Sequence, residues 1–173
     1  MAIVELSKLT FKIQELPEGA SEKHVELPED YFEFEEEMHL YEAAVEVSFY
    51  RTDHFIKCSF TVKSTLELIC DRSLKPFELN STGTFDILFE PGDVEESETA
   101  ESAVRQIPSN DLVLDIDKEV RDTILLGVPT RKIHPDYLDE EGIPIEFETK
   151  KFGDTKEDSD SIDPRWEELK KLK

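Results

Sequence analysis

Two cysteines and four histidines are the side chains here best suited to nucleophilic or metal chemistry. A thiol attacks as its thiolate and needs a base or a positive partner close by. Cys58 and Cys70 both fall on the apolar parity of one alternating run, which predicts small buried hydrophobes instead of nucleophiles. His24, His39, His54 and His134 show no His-x-x-x-His spacing. Two cysteines alone complete neither a disulfide framework nor a structural zinc site. Asp115-Ile116-Asp117-Lys118-Glu119 starts like a calcium loop, but Val120 stands where that loop needs glycine and Leu126 where it needs a bidentate glutamate. Asp158-Ser159-Asp160 fails in the same way at Ile162. The six glycines are scattered singly, so no phosphate-cradling loop is present, and no Gly-x-Ser-x-Gly elbow occurs. With 42 Asp and Glu residues, proximity of two carboxylates carries no information about acid–base catalysis. The sequence therefore predicts no catalytic residue, no metal and no cofactor.

The cations are more informative because they are scarce. Arg165, Lys170, Lys171 and Lys173 make the terminal segment locally basic around Trp166. Lysines beside an aromatic can hold single-stranded nucleic acid. The alternative is that the lysines close a helix C-terminus while Trp166 packs on the body. A smaller pair, Arg131-Lys132, follows Pro129.

The elements that would position these residues read mainly as strands. Phe11 and Ile13 alternate with polar residues before the Leu16-Pro17-Glu18-Gly19 turn, and Val25 and Leu27 make a short strand stopped at Pro28. Glu26 to Glu37 carries seven acids and no Lys or Arg, with Tyr31, Phe32 and Phe34 as apolar anchors of a wet edge. Val45, Val47 and Phe49 alternate with Glu46 and Ser48. After a turn at Arg51-Thr52-Asp53, one face runs through Ile56, Cys58, Phe60, Val62, Leu66, Leu68 and Cys70 without a change of parity, which predicts one long strand without a bulge. Asp71-Arg72-Ser73-Leu74 ends it, and Phe85, Ile87 and Phe89 alternate again up to Pro91-Gly92. Glu90 to Ser102, with six acids and no Lys or Arg, reads as an acidic loop extending to about residue 108. Leu112-Val113-Leu114 is a short apolar run. A helix follows near 117–127, with Asp117 as its cap, Val120, Ile124 and Val128 on one stripe, and Gly127 and Pro129 at its end. Ile143 to Phe147 suggests a last edge strand, and Asp163-Pro164 starts a short C-terminal helix. The predicted fold is α+β: an antiparallel β-meander or partly open barrel, carried by one domain over 1–150, then an acidic linker and helix over 151–173.

Composition narrows the function. Against 42 acids stand 20 Lys and Arg, a net charge of −22 over 173 residues. Such a surface repels phosphate and argues against broad nucleic-acid binding. The chain has no run long and apolar enough to span a bilayer, and its first residues lack the features of a secretory signal, so a cytoplasmic protein without membrane contact is expected.

Three strings in order resemble the YceD-like large ribosomal RNA accumulation family. Leu66-Glu67-Leu68-Ile69-Cys70-Asp71-Arg72-Ser73-Leu74 resembles the family's strand ending in Cys-x-Arg-Cys-Leu. Leu112 to Pro129, with Ile124-Leu125-Leu126-Gly127-Val128-Pro129 and then His134, resembles its helix-to-proline motif. Asp163-Pro164-Arg165-Trp166 resembles its terminal Asp-Pro-Arg. Together they extend the resemblance over residues 9 to 173. Ser73 replaces the second motif cysteine and Thr130 to Gly142 holds none, so a zinc role imagined for cysteine-rich members cannot operate here. What remains is architecture: Arg72 and Leu74 at a turn, and the helix-to-proline junction. Arg72 either braces the hairpin end against nearby acids or contacts a partner.

The resemblance implies a bacterial, non-enzymatic factor in large-subunit biogenesis, supporting accumulation or maturation of the large-subunit ribosomal RNA. Its partners would be a large-subunit ribosomal protein, a large-subunit RNA precursor, or both. Charge favours a basic protein, with direct RNA contact confined to Arg72, Arg131, Lys132 and the terminal basic helix; the candidate contacts to partner or RNA are Arg72, Leu74, Arg131, Lys132, His134, Arg165, Trp166, Lys170 and Lys171. The alternative is an acidic protein–protein adaptor unrelated to ribosomes, with the Trp166 segment as its docking peptide.

Overall fold

A computed structural model describes residues 8–34, 37–107 and 112–145. The strands are β1 (Thr10–Lys12), β2 (Gly19–Leu27), β3 (Met38–Arg51), β4 (Ile56–Ile69), β5 (Pro76–Pro91), β6 (Ser97–Glu98), β7 (Ser102–Ile107) and β8 (Val113–Asp115). One α-helix, α1 (Asp117–Leu126), follows, and 3-10 turns occupy Ile13–Glu15 and Pro135–Tyr137. The main sheet has six strands in the order β2-β3-β4-β5-β7-β6, while β1 and β8 form a separate antiparallel ribbon. The α+β expectation fits this mostly β architecture.

The two-residue period sets the layers. Along β4 every second side chain from Ile56 to Leu68 is buried, and the residues between face outward. Ser64, the one polar member of that face, is only 6% exposed. The strand runs unbroken for 14 residues, as its constant parity requires. The irregularity lies in the neighbour, where the β3 register shifts between Leu40 and Glu42. The buried face is covered by α1, through Val120 and Ile124, and by the ribbon, where Phe11 meets Phe49 edge-on at 5.0 Å between ring centres. The helix lies hard against β5: a methyl group on Gly83 would come within 2.4 Å of Thr123 Cγ2. Glycine at 83 is the condition for that approach.

Among the described residues the six-stranded sheet is not a closed barrel. Several expectations are corrected. The sheet is not a pure antiparallel meander, because β7 pairs with β5 in parallel, Asp86 opposite Ser102 through Pro91 opposite Ile107. The stretch read as an acidic loop to residue 108 contains β6 and β7. Apolar Ala103, Val104 and Ile107 supply too short a pattern to stand out among the acids. Ile13 leaves the first strand and starts a 3-10 turn. Asp117 is the first helical residue rather than the cap: its N–H donates to Asp115 Oδ1 at 3.0 Å, and its own carboxylate accepts from the Tyr31 hydroxyl at 2.8 Å. The expected strand at Ile143–Phe147 is represented by one bridge, Leu138 opposite Pro144; Glu146 and Phe147 lie outside the described residues, as does the expected helix from Asp163.

Candidate functional site

Two motifs separated by some sixty positions meet at the far end of β4. The chain leaves that strand at Cys70 in a tight turn. Cys70 N–H donates to Lys75 O at 2.9 Å and Leu74 N–H to Cys70 O at 2.9 Å. Leu74 closes the turn at φ +56°, in the left-handed region, and leaves its side chain 77% exposed. The segment after Pro129 returns across this turn. Asp71 N–H donates to Lys132 O at 2.8 Å, Lys132 N–H donates to Asp71 Oδ2 at 2.7 Å, and His134 N–H donates to Cys70 Sγ at 3.2 Å. Three main-chain N–H donors, one to a carbonyl, one to a carboxylate and one to a sulfur, thus clasp the returning segment to the β4–β5 turn.

Side chains complete the clasp. Arg72 Nη1 donates to Ile145 O at 2.6 Å, and its guanidinium lies 4.9 Å above the Tyr137 ring. Stacking and donation to a carbonyl at once suit a planar guanidinium. Arg72 thus reaches a carbonyl and a ring at the hairpin end. Lys132 Nζ pairs with Glu37 at 2.7 Å, which ties the segment to the start of β3. The His134 ring sits between Phe77 and Tyr137, with centroids at 5.8 and 6.1 Å. Its Nδ1 accepts the Asp136 N–H at 3.1 Å, which leaves Nε2 to carry the proton in the neutral ring.

Five of the residues picked from the sequence, Arg72, Leu74, Arg131, Lys132 and His134, thereby come together. Arg165, Trp166, Lys170 and Lys171 lie outside the described residues. Beside the clasp is a groove of about 590 Å³ lined by Asp71, Arg72, Arg131, Ile133, Ile143, Pro144 and Ile145. Ile143 and Ile145 are 56% and 51% exposed there. Asp71, Tyr137 and Ile145 escaped the sequence reading, because nothing in local spacing links position 71 to 132 or 72 to 145.

The thiols agree with their parity. Both are fully buried. Burial pushes the Cys58 thiol up to about 12, aided by the charges of Glu119 and Asp86. Cys70 differs. Burial alone would raise it, but the Ser73 hydroxyl and the N–H groups of His134, Arg72 and Ser73 directed at sulfur outweigh that and bring it down to about 7. Such a sulfur is an acceptor that organises a turn. A ligand-like cluster of another kind sits nearby: His39 Nε2 lies 3.1 Å from Glu29 and Nδ1 2.9 Å from Asp30. Both ring nitrogens thus face carboxylates, an arrangement a protonated imidazole satisfies without any ion. The hydrogen bond to Glu29 raises the His39 pKa, with burial opposing it and the charge of Asp30 adding to the rise.

Residues 58–173 match the family described as Large ribosomal RNA subunit accumulation protein YceD. The chain belongs to this family. The match contains the Cys70 turn, α1 and the returning segment, while Glu37, the partner of Lys132, lies outside it. It starts at Cys58, so β1 to β3 fall outside it, and the family likeness is shown over a shorter span than residues 9 to 173. No curated protein and no solved structure is matched. The family name ties the chain to accumulation of large-subunit ribosomal RNA. It names no reaction, and this is not a known enzyme family. Among the described residues no helix is long and apolar enough to cross a membrane.

Proposed function

We propose that the chain is a non-enzymatic binding factor in large-subunit biogenesis, which supports ribosomal RNA accumulation by holding a basic ribosomal protein. Family membership supports the process. The net charge of −22 supports the kind of partner, and is the observation that carries the reading. A protein this acidic meets phosphate with repulsion and a lysine-rich protein with attraction, and attraction of that kind speeds encounter and fades as salt rises. Contact with precursor RNA is confined in this reading to the Arg72–Arg131 end, together with Arg165, Trp166, Lys170 and Lys171.

The test is native capture of the tagged full chain at low salt, with RNA and protein identified in the same eluate. Enrichment of a large-subunit protein, lost on raising the salt, is the expected result. Enrichment of precursor RNA without any basic protein would overturn the protein-first reading. Capture of one unrelated partner would replace it with an adaptor outside the ribosome.

A further inference from the structure

The two edges of the main sheet are treated differently. At one edge β7 is covered by β6 at Ala103 and Val104, and the Glu96 carboxylate accepts the Gln106 N–H at 3.1 Å. That edge is blunted in the ways natural sheets use against unwanted pairing. At the other edge β2 runs nine residues with continuous register against β3, from Gly19 opposite Arg51 to Leu27 opposite Ala43. It has no proline and no bulge. Among the described residues, the outward main-chain groups from Ala20 to Val25 meet no hydrogen-bond partner, and the Lys8 ammonium reaches only Glu26 O, at 3.2 Å. Every second residue of an edge strand directs an N–H and a C=O away from the sheet, so this is a template of main-chain donors and acceptors.

Charge selects what can use the template. Glu22 and Glu26 are exposed on β2, Glu18 precedes it, and Glu42 lies beyond it on β3. Lys23 is the lysine along the strand, and the His24 ring sits 3.8 Å from Glu26. A second copy of the chain pairing through β2 would set these acids against one another, and facing like charges destabilise a strand pair. A basic strand would instead gain ion pairs along with its main-chain hydrogen bonds.

We propose that the outer edge of β2 is a docking strand for an extended lysine- or arginine-rich segment of a partner protein, which adds to the sheet as a further strand. Main-chain pairing supplies the affinity and the acids supply the selectivity, the division of labour in strand-addition complexes. The proposal rests on the basic-partner reading above and locates that partner.

The test uses the full chain and a decapeptide of alternating lysine and valine as probe, read by residue-resolved amide hydrogen exchange. Alternate β2 amides that exchange freely in the free protein should slow by about tenfold near saturation. A decapeptide of the same sequence with every main-chain nitrogen methylated has no N–H to donate and cannot approach a strand edge, and should leave those amides unchanged. Charge reversal by Glu22→Lys with Glu26→Lys, at two exposed positions, should weaken binding of the alternating peptide by about tenfold or more. Equal protection by both peptides, protection appearing elsewhere than β2, or indifference to charge reversal would each overturn the proposal. Capture of ribosomal protein that survives charge reversal, with β2 unprotected, would sink the docking strand and leave the proposed function standing. Protection of β2 by the peptide, with no ribosomal component captured, would do the reverse.

Discussion

Arg105 ties the parallel strand β7 to the helix. Its Nε donates to Glu119 Oε1 at 3.0 Å, and its other end reaches Glu98, which also receives Lys118 at 3.0 Å. Glu119 is 6% exposed and the Arg105 side chain 18%, whereas Glu98 is 42% exposed. The inner pair is therefore nearly dry and the outer pair is bathed in water. Exposed ion pairs contribute at most about 1 kcal/mol, while removing one member of a buried pair costs about 3–5 kcal/mol because the other charge is stranded. Arg105→Ala should then cost about 3 kcal/mol, almost all of it through Glu119. With a urea slope of about 2 kcal/mol/M, the unfolding midpoint should fall by about 1.5 M. Replacing both members, Arg105→Met with Glu119→Met, removes the stranded charge and should recover most of that loss. The assay is equilibrium urea unfolding followed by far-ultraviolet circular dichroism. A loss below about 1 kcal/mol for Arg105→Ala would mean that water reaches Glu119, and would refute the reasoning. A double variant no better than the single one would refute it equally.

Two further expectations use the same assay at other sites, and a third is read by proton resonances. Gly83→Ala places its methyl 2.4 Å from Thr123 Cγ2 and should cost about 1–3 kcal/mol; Thr123→Ser removes that methyl and should restore part of the loss, so a neutral Gly83→Ala would show the helix free to lift. The Cys70 thiol stands at about 7 where 9 is ordinary, and an acid depressed in the folded state stabilises above its unfolded pKa and loses that contribution as pH falls through the folded one. Stability should decline from pH 9 to pH 7 more steeply in the native protein than in Cys70→Ser, and parallel slopes would refute the inward-directed donors as its cause. His39 is raised from 6.5, so its link to Glu29 and Asp30 holds fully below that value and is lost as pH rises through the raised one. Proton resonances of Tyr31 and Phe32, in the turn that follows, should shift with the His39 titration and stay fixed in His39→Gln; unchanged titration of those rings in the variant would refute the link.

Much of the sheet was legible because alternation is local. The faces of β4 and of the second halves of β3 and β5 follow from one residue type at every second position, and burial enforces that period wherever one face is dry. The helix was equally legible from Val120 and Ile124, although its first residue was mistaken for its cap. β7 was not legible. It is six residues long, and it is held by pairing with β5 and by Arg105 reaching α1, both of them contacts between distant positions. The first nine residues of β5 were missed too: their inward side chains are only half-buried, and Gly83 among them is set by the helix above, not by its neighbours in sequence.

The site divides along the same line. By itself the sequence determined the net charge and the parity that buries Cys58 and Cys70. It also marked Arg72 and Leu74 as turn residues and Arg131-Lys132 as a rare basic pair. Only the tertiary structure decided that these two places are one place, with Lys132 hydrogen-bonded to Asp71, His134 N–H on the Cys70 sulfur and Arg72 on Ile145. Which strand lies at the edge of the sheet among the described residues was likewise decided there. Composition and period are sums over near residues, and a chain carries them before it folds. A clasp and an edge are relations between residues far apart in sequence, and they exist only once the sheet order is set.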